Sequence, residues 1–340
     1  MRSLRLVMAL FACATVTAAP HAQPASVCSG AVAVDPGLPA YDPQPFELPN
    51  DAAFVEPDGT IIVVGYNDMR DMLKQMASSF IAAHPQVRLR FDLPGTRFAP
   101  AALAKGASAL APMGALFTPS QLDEYRTLTS SEPLAVRVAH ASLDPQALSG
   151  PLAVFVHRDN PLRTLTLAQV AKVFAGDFTT WRDLGLKGEW GERSIDAFGL
   201  QPGTALGLEM QLAVLSDRPF GSRVTGLAQS AELVDKVAAD RFAMGFAAAM
   251  RATPGVRALA IAPDEHAEPI APTCEDIIAD RYPLDRHLLI YLRRPVTPFA
   301  REFVRLVLSR DGQQAVAASP QHYLPLSAHD AANELRKLGP

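Results

Sequence analysis

Apolar positions along this chain follow two rhythms. Short continuous runs, at 60–65 and 152–156, predict buried strands. Other stretches repeat their apolar residues at helical spacing. The clearest joins Met69, Met72, Leu73, Met76 and Phe80 into one face of a helix. That methionine stripe reads as core packing rather than as a metal site. Further strands are expected at 87–91, 110–116, 136–139, 195–198, 242–246, 256–261 and 287–292. Helices are expected at 100–105, 118–125, from Thr166 to near Gly176, around Leu206, Met210 and Val214, at 231–239, and from Thr297 onward with Phe299, Phe303, Leu306 and Val307 facing in. Strand–helix alternation of this kind predicts an α/β chain.

Local chemistry sharpens several boundaries. Thr166 and Gln169 have capping-box spacing, and Gly176 marks the stop of the helix they open. Asp159-Asn160-Pro161 makes a turn before it, and Phe178 and Trp181 follow it in an aromatic loop. Pro119 falls at a favoured first helical turn. Residues 23–55 hold Pro24, Pro36, Pro39, Pro43, Pro45 and Pro49, which exclude a helix. They are expected to form a surface extension along the first lobe, anchored by Cys28.

The first 22 residues read as a secretory leader. Arg2 and Arg5 precede an apolar run, and small residues then offer cleavage after Ala22. Leu10-Phe11-Ala12-Cys13 loosely resembles a lipobox, with bulky Phe11 out of place, so lipid anchoring at Cys13 is the lesser alternative. No later apolar run approaches the roughly 20 residues of a membrane helix. A chain of 340 residues favours two lobes. Its 31 Lys and Arg against 35 Asp and Glu contain no basic stripe for nucleic acid. Cleavage would remove Cys13 and leave Cys28 and Cys274. An even count in an oxidising compartment predicts that they pair, the alternative being two buried thiols.

The text at 160–185, Asn-Pro-Leu-Arg-Thr-Leu-Thr-Leu-Ala-Gln-Val-Ala-Lys-Val-Phe-Ala-Gly-Asp-Phe-Thr-Thr-Trp-Arg-Asp-Leu-Gly, resembles the opening of the second lobe in the phosphate-binding family of periplasmic solute receptors. Tyr282-Pro283-Leu284-Asp285-Arg286 and Tyr323-Leu324-Pro325-Leu326 resemble later family segments. The resemblance covers most of residues 58–326. It implies a type II periplasmic binding protein: an α/β fold of two lobes, each a mixed sheet with flanking helices, joined by two crossing strands. The first lobe would take 56–150 and 251–340, with 256–261 returning to it, and the second 151–250. The resemblance further implies a monomer in the periplasm that hands its ligand to an inner-membrane ABC permease, without a cofactor.

The family binds its ligand at strand-to-helix turns, where helix N-termini favour anions. Here the corresponding residues are Tyr66, Asn67 and Asp68, then Gly95, Thr96 and Arg97, then Gln201, Gly203 and Thr204. Each turn departs from the family's phosphate pattern. Tyr66 is large, and Asp68 would repel an anion unless it caps a helix or accepts a ligand proton. Capping is the plainer reading of Asn67 and Asp68. Arg97 is new, either facing the cleft or solvated. Residues 109–115 lack the family's acid and Arg, and Pro202 replaces a Ser. These losses argue against high-affinity phosphate binding and predict a divergent ligand: a small anion, phosphate or more readily another oxyanion, or a small organic molecule. A scaffold or sensory role without transport is the alternative. No Gly-x-Ser-x-Gly elbow, phosphate loop or His-Glu-x-x-His helix points to an enzyme. His157 reads as structural, and 264–268 as a solvated loop.

Overall fold

Leu152–His157 is buried along nearly its whole length because strands flank it on both sides. A computed structural model describes residues 28, 32–48 and 52–339. The leader, its cleavage site and Cys13 fall outside them.

The first part of the chain gives β1 (Thr60–Val64), α1 (Arg70–Ala83), β2 (Arg88–Asp92), α2 (Ala99–Ala104), β3 (Ala111–Met113), α3 (Pro119–Thr129) and β4 (Leu134–His140). The middle adds β5 (Leu152–His157), β6 (Thr164–Thr166), α4 (Leu167–Phe174), α5 (Gly188–Gly191), β7 (Asp196–Leu200), α6 (Ala205–Glu209), β8 (Thr225–Leu227), α7 (Ser230–Ala239), β9 (Ala243–Ala248), β10 (Val256–Ala258), β11 (Ala260–Ala262) and α8 (Cys274–Ile278). The chain closes with β12 (His287–Leu292), α9 (Pro298–Val307), α10 (Arg310–Ala317) and α11 (Ala328–Arg336).

Two large buried cores organise these elements, and a smaller cluster around Leu103, Met113, Tyr125 and Leu289 packs α2 and α3 against β3 and β12. One gathers the α1 stripe, Val136, Val138, Ile290, Phe299 and Phe303. There β1 pairs parallel with β2, and β12 lies antiparallel between β3 and β4. The other core gathers Val154, Val170, Phe174, Trp181, Leu233 and Phe246 under the sheet β10-β5-β9-β7-β8. Thr166 and Gln169 form the expected capping box, at 3.1 and 2.9 Å. Trp181 is fully buried and donates its indole N–H to the Phe242 carbonyl at 3.2 Å.

Two expectations are corrected. Residues 256–261 do not return to the first lobe. After β9 the chain turns back, so that β10 runs antiparallel along β5 while β11 pairs with β6. Val256, Leu259, Ile261, Ile277 and Leu284 all belong to the second core. The return comes at 285–287, beside the outgoing segment: Ala141 N–H donates to Arg286 O at 2.7 Å, and Leu152 N–H to Leu284 O at 3.0 Å.

The Pro-rich segment likewise spans both cores rather than following the first alone. Cys28 and Val32 pack on the second core, and Cys28 is disulfide-bonded to Cys274 in α8. Leu38, Tyr41 and Phe46 lie on the first. Lacking regular structure, this strap satisfies its backbone through side chains: Gln44 N–H donates to Glu302 at 2.9 Å, and Tyr41 N–H to Asp311 at 2.7 Å.

Candidate functional site

Gly95 N–H donates to Gly65 O at 3.1 Å, which joins the turn after β2 to the turn after β1. Gly95 has φ +122°, a value that suits glycine, and a Cβ there would lie 3.9 Å from Asn67 Oδ1. The first two predicted turns therefore meet. Tyr66 is buried, its ring packed over Gly114, where any Cβ would collide with the ring. Its hydroxyl lies 3.3 Å from Ser149 Oγ, and burial pushes the phenol pKa up.

Asn67 and Asp68 do not cap a helix. They lie in a short 3-10 turn before α1, and neither side chain bonds the helix N-terminus. Asp68 instead accepts from Leu148 N–H at 3.1 Å and from the Tyr323 hydroxyl. Its carboxylate ties the first turn to the outgoing crossing segment and to the closing segment of the chain. Thr96 is partly buried. Arg97 and Phe98 are exposed, with the guanidinium stacked 4.6 Å from the Phe98 ring centre.

The third turn is separate. Thr204 caps α6, accepting from Gly207 N–H at 3.0 Å and donating to Gln201 O at 2.7 Å. Gln201 and Gly203 are exposed. Among the described residues, no hydrogen bond joins this turn to the other two.

Charge enters the seam through two residues that sequence reasoning left out. Arg286 is 3% exposed. It donates to Gly150 O at 3.1 Å and to Gly114 O at 2.9 Å, bracing both sides of the crossing. Its Nε has no hydrogen-bond partner among the described residues and lies 3.6 Å from Glu209 Oε2. Glu209 ends α6. Burial raises its carboxyl pKa, and Arg286 partly opposes that. Nearby, burial pushes the Tyr291 hydroxyl up to about 12, with Glu209 adding to the rise. A buried cation and a half-buried carboxylate thus face each other where the two cores meet. Arg286 lay within the Tyr-Pro-Leu-x-Arg text, but nothing in the sequence assigned it to the cleft. Glu209 precedes the apolar Met210 and carries no motif.

The remaining polar candidates are local. His157 Nδ1 accepts from Asp159 N–H at 3.2 Å, and Asp264 accepts from the backbone of His266 and Ala267.

Two α/β cores, paired crossing segments and strand-end turns at the seam define a type II periplasmic binding protein. The PBP superfamily domain matches residues 55–311, and the chain belongs to that superfamily. It is similar to the phosphate-binding protein PstS of Pseudomonas aeruginosa, 29% identical over 323 residues, 92% of this chain and 94% of the relative. Two solved structures share the fold. The ABC-type phosphate transport receptor from Vibrio cholerae has a TM-score of 0.54 at 17% identity, covering 78% of this chain and 99% of its own. PstS from Borrelia burgdorferi has a TM-score of 0.55 at 14% identity, covering 79% and 99%. No helix among the described residues is long and apolar enough to cross a membrane.

Proposed function

We propose that this protein is a periplasmic solute receptor that holds a small anion between its lobes and delivers it to an ABC permease. It would be exported by cleavage after Ala22 and act as a monomer. The single observation carrying this reading is Arg286, buried at the seam with its Nε–H facing Glu209. A protonated oxyanion suits that pair: its charge answers the guanidinium, and its O–H can donate to the carboxylate. The first two turns would contribute Tyr66, Asn67, Asp68, Gly95, Thr96 and Arg97, and closure would bring up Gln201, Gly203 and Thr204. Phosphate is the ligand named for the relatives. In this chain Tyr66 fills the space over Gly114 at the end of β3, and Asp68 already accepts two hydrogen bonds. Both support a ligand set that departs from phosphate.

Native mass spectrometry of freshly purified protein, followed by calorimetry with phosphate and other oxyanions, tests the reading. A retained small anion is expected. Glu209→Gln should weaken binding of a protonated oxyanion by about tenfold, because it removes the charged acceptor of the ligand's O–H. Sub-micromolar phosphate affinity would end the claim of divergence. One observation favours a second reading, a scaffold that keeps the fold without transport: Glu209 already faces the Arg286 charge. No anion bound by either the unaltered chain or Glu209→Gln would select it.

A further inference from the structure

His140, the last residue of β4, stands directly opposite His287, the first of β12. Their rings are 4.8 Å apart at an interplanar angle of 44°. Asp285 Oδ2 lies 2.6 Å from His140 Nδ1 and 3.6 Å from His287 Nε2. Asp280 Oδ1 lies 3.7 Å from the same His287 nitrogen. One donor atom from each of the four residues falls within 4.8 Å of all the others.

The cluster is only partly satisfied from within. His287 Nε2 and Asp285 Oδ1 are buried and have no hydrogen-bond partner among the described residues. The Asp285 side chain is 3% exposed and that of His140 0%. A buried carboxylate oxygen and a buried ring nitrogen left without partners are costly unless something else engages them. The surrounding cations are engaged chiefly by Glu334. Arg137 Nε donates to Glu334 at 2.6 Å, and Lys337 reaches the same carboxylate at 2.6 Å. Arg137 also holds Asp280 Oδ2 at 3.3 Å, which leaves Oδ1 toward His287.

We propose that His140, Asp280, Asp285 and His287 form a binding site for one divalent transition-metal ion of the zinc type. Two imidazoles with two carboxylates and no thiolate suit a borderline ion better than calcium or magnesium. Tetrahedral metal–ligand bonds of roughly 2.0–2.1 Å set the donors about 3.3–3.4 Å apart. The separations here, from 2.6 to 4.8 Å, bracket that range. Metal entry replaces the His140–Asp285 hydrogen bond with two metal bonds, the His140 ring proton passing from Nδ1 to Nε2, and engages the idle His287 nitrogen. Asp280, partly exposed, lies on the entry side.

Position gives the site a consequence. His140 ends the strand from which the chain leaves the first core, while Asp285 and His287 lie where it returns. Asp280 follows α8 of the second core. A bound ion would clamp the outgoing and returning segments together at the junction between the lobes.

Calorimetry of tag-free, EDTA-treated protein with zinc chloride tests this directly. One ion per chain is expected, with binding that excess magnesium does not suppress. Asp280→Asn and His287→Gln should each weaken zinc binding by at least about tenfold with an unchanged circular dichroism spectrum. His322→Ala, which removes the separate surface pair with Asp144, should leave it intact. Should either variant misfold, cobalt loading of the unaltered chain decides. Visible bands of low-coordinate, nitrogen-ligated cobalt support the site, and a hexaaqua-type spectrum counts against it. Lack of zinc uptake, or full affinity in both well-folded variants, would overturn the proposal.

Discussion

Glu209 Oε2 and Arg286 Nε face each other at 3.6 Å across the meeting of the two cores. Both side chains are largely removed from water, Glu209 to 17% and Arg286 to 3% exposure. Burying two charges costs more than their attraction returns unless further hydrogen bonds satisfy them. Arg286 has its bonds, to Gly114 O and Gly150 O. Among the described residues, Glu209 has only the guanidinium edge, and desolvation dominates its raised pKa.

That imbalance sets a pH dependence. The folded chain holds the Glu209 proton more tightly than the unfolded chain does. Its contribution to stability is therefore complete on the acid side and declines as pH rises from 4.5, the ordinary glutamate value, through the raised folded value. Glu209→Gln should lack the decline. Melting curves of both proteins between about pH 5 and about pH 7.5 check this. Parallel profiles would remove Glu209 as the source.

Asp68 yields a second expectation. Its carboxylate accepts from Leu148 N–H and from Tyr323, and it caps nothing. Tyr323→Phe leaves the acceptor short of one partner and should cost about 1–2 kcal/mol in urea unfolding. Asp68→Ala strands the buried hydroxyl of Tyr323 and the Leu148 amide, and should cost at least as much. If Asp68 acted as a helix cap instead, Asp68→Ala would destabilise the chain while Tyr323→Phe left it unchanged.

The Cys28–Cys274 bond fastens the strap to α8 across 246 residues of sequence. Closing so long a loop should stabilise the folded chain by about 3–5 kcal/mol. Thiol titration of the unfolded, unreduced mature protein should find no free cysteine. Two reactive thiols would refute the bond. Reduction should also loosen the strap over both cores, so limited proteolysis should accelerate within residues 32–48.

Apart from the Cys28–Cys274 pairing, the parts legible in the sequence were those whose signal is local. Five consecutive buried residues starting at Leu152 announced a flanked strand, and Thr166 with Gln169 announced a helix start. The α1 stripe placed its own core face. What escaped were relations between distant residues. The pairing of β10 with β5 depends on a chain reversal after β9, and strand text does not name its partner. The role of Asp68 depends on Tyr323, 255 positions away. Glu209 matters only because α6 aims it at Arg286. His140 and Asp285 become neighbours only where the chain crosses twice between the cores.

Tyr66 and Gly114 offer the sharpest test of packing at the first turn. The Tyr66 ring occupies the space in which any side chain at 114 would begin. Tyr66 is 7% exposed and fixed through Ser149, so the ring has little freedom to retreat. Gly114→Ala should therefore overpack the site and cost about 1–3 kcal/mol. The Gly114 carbonyl accepts from Arg286 and from Ser149, so a backbone shift there also disturbs the seam. Tyr66→Ala alone should be destabilising through its lost burial. Combined with Gly114→Ala, it should cost less than the sum of the two, because the added methyl then enters space the ring has left. A double-mutant cycle by urea denaturation measures that coupling. Strict additivity would mean that the ring does not press on position 114.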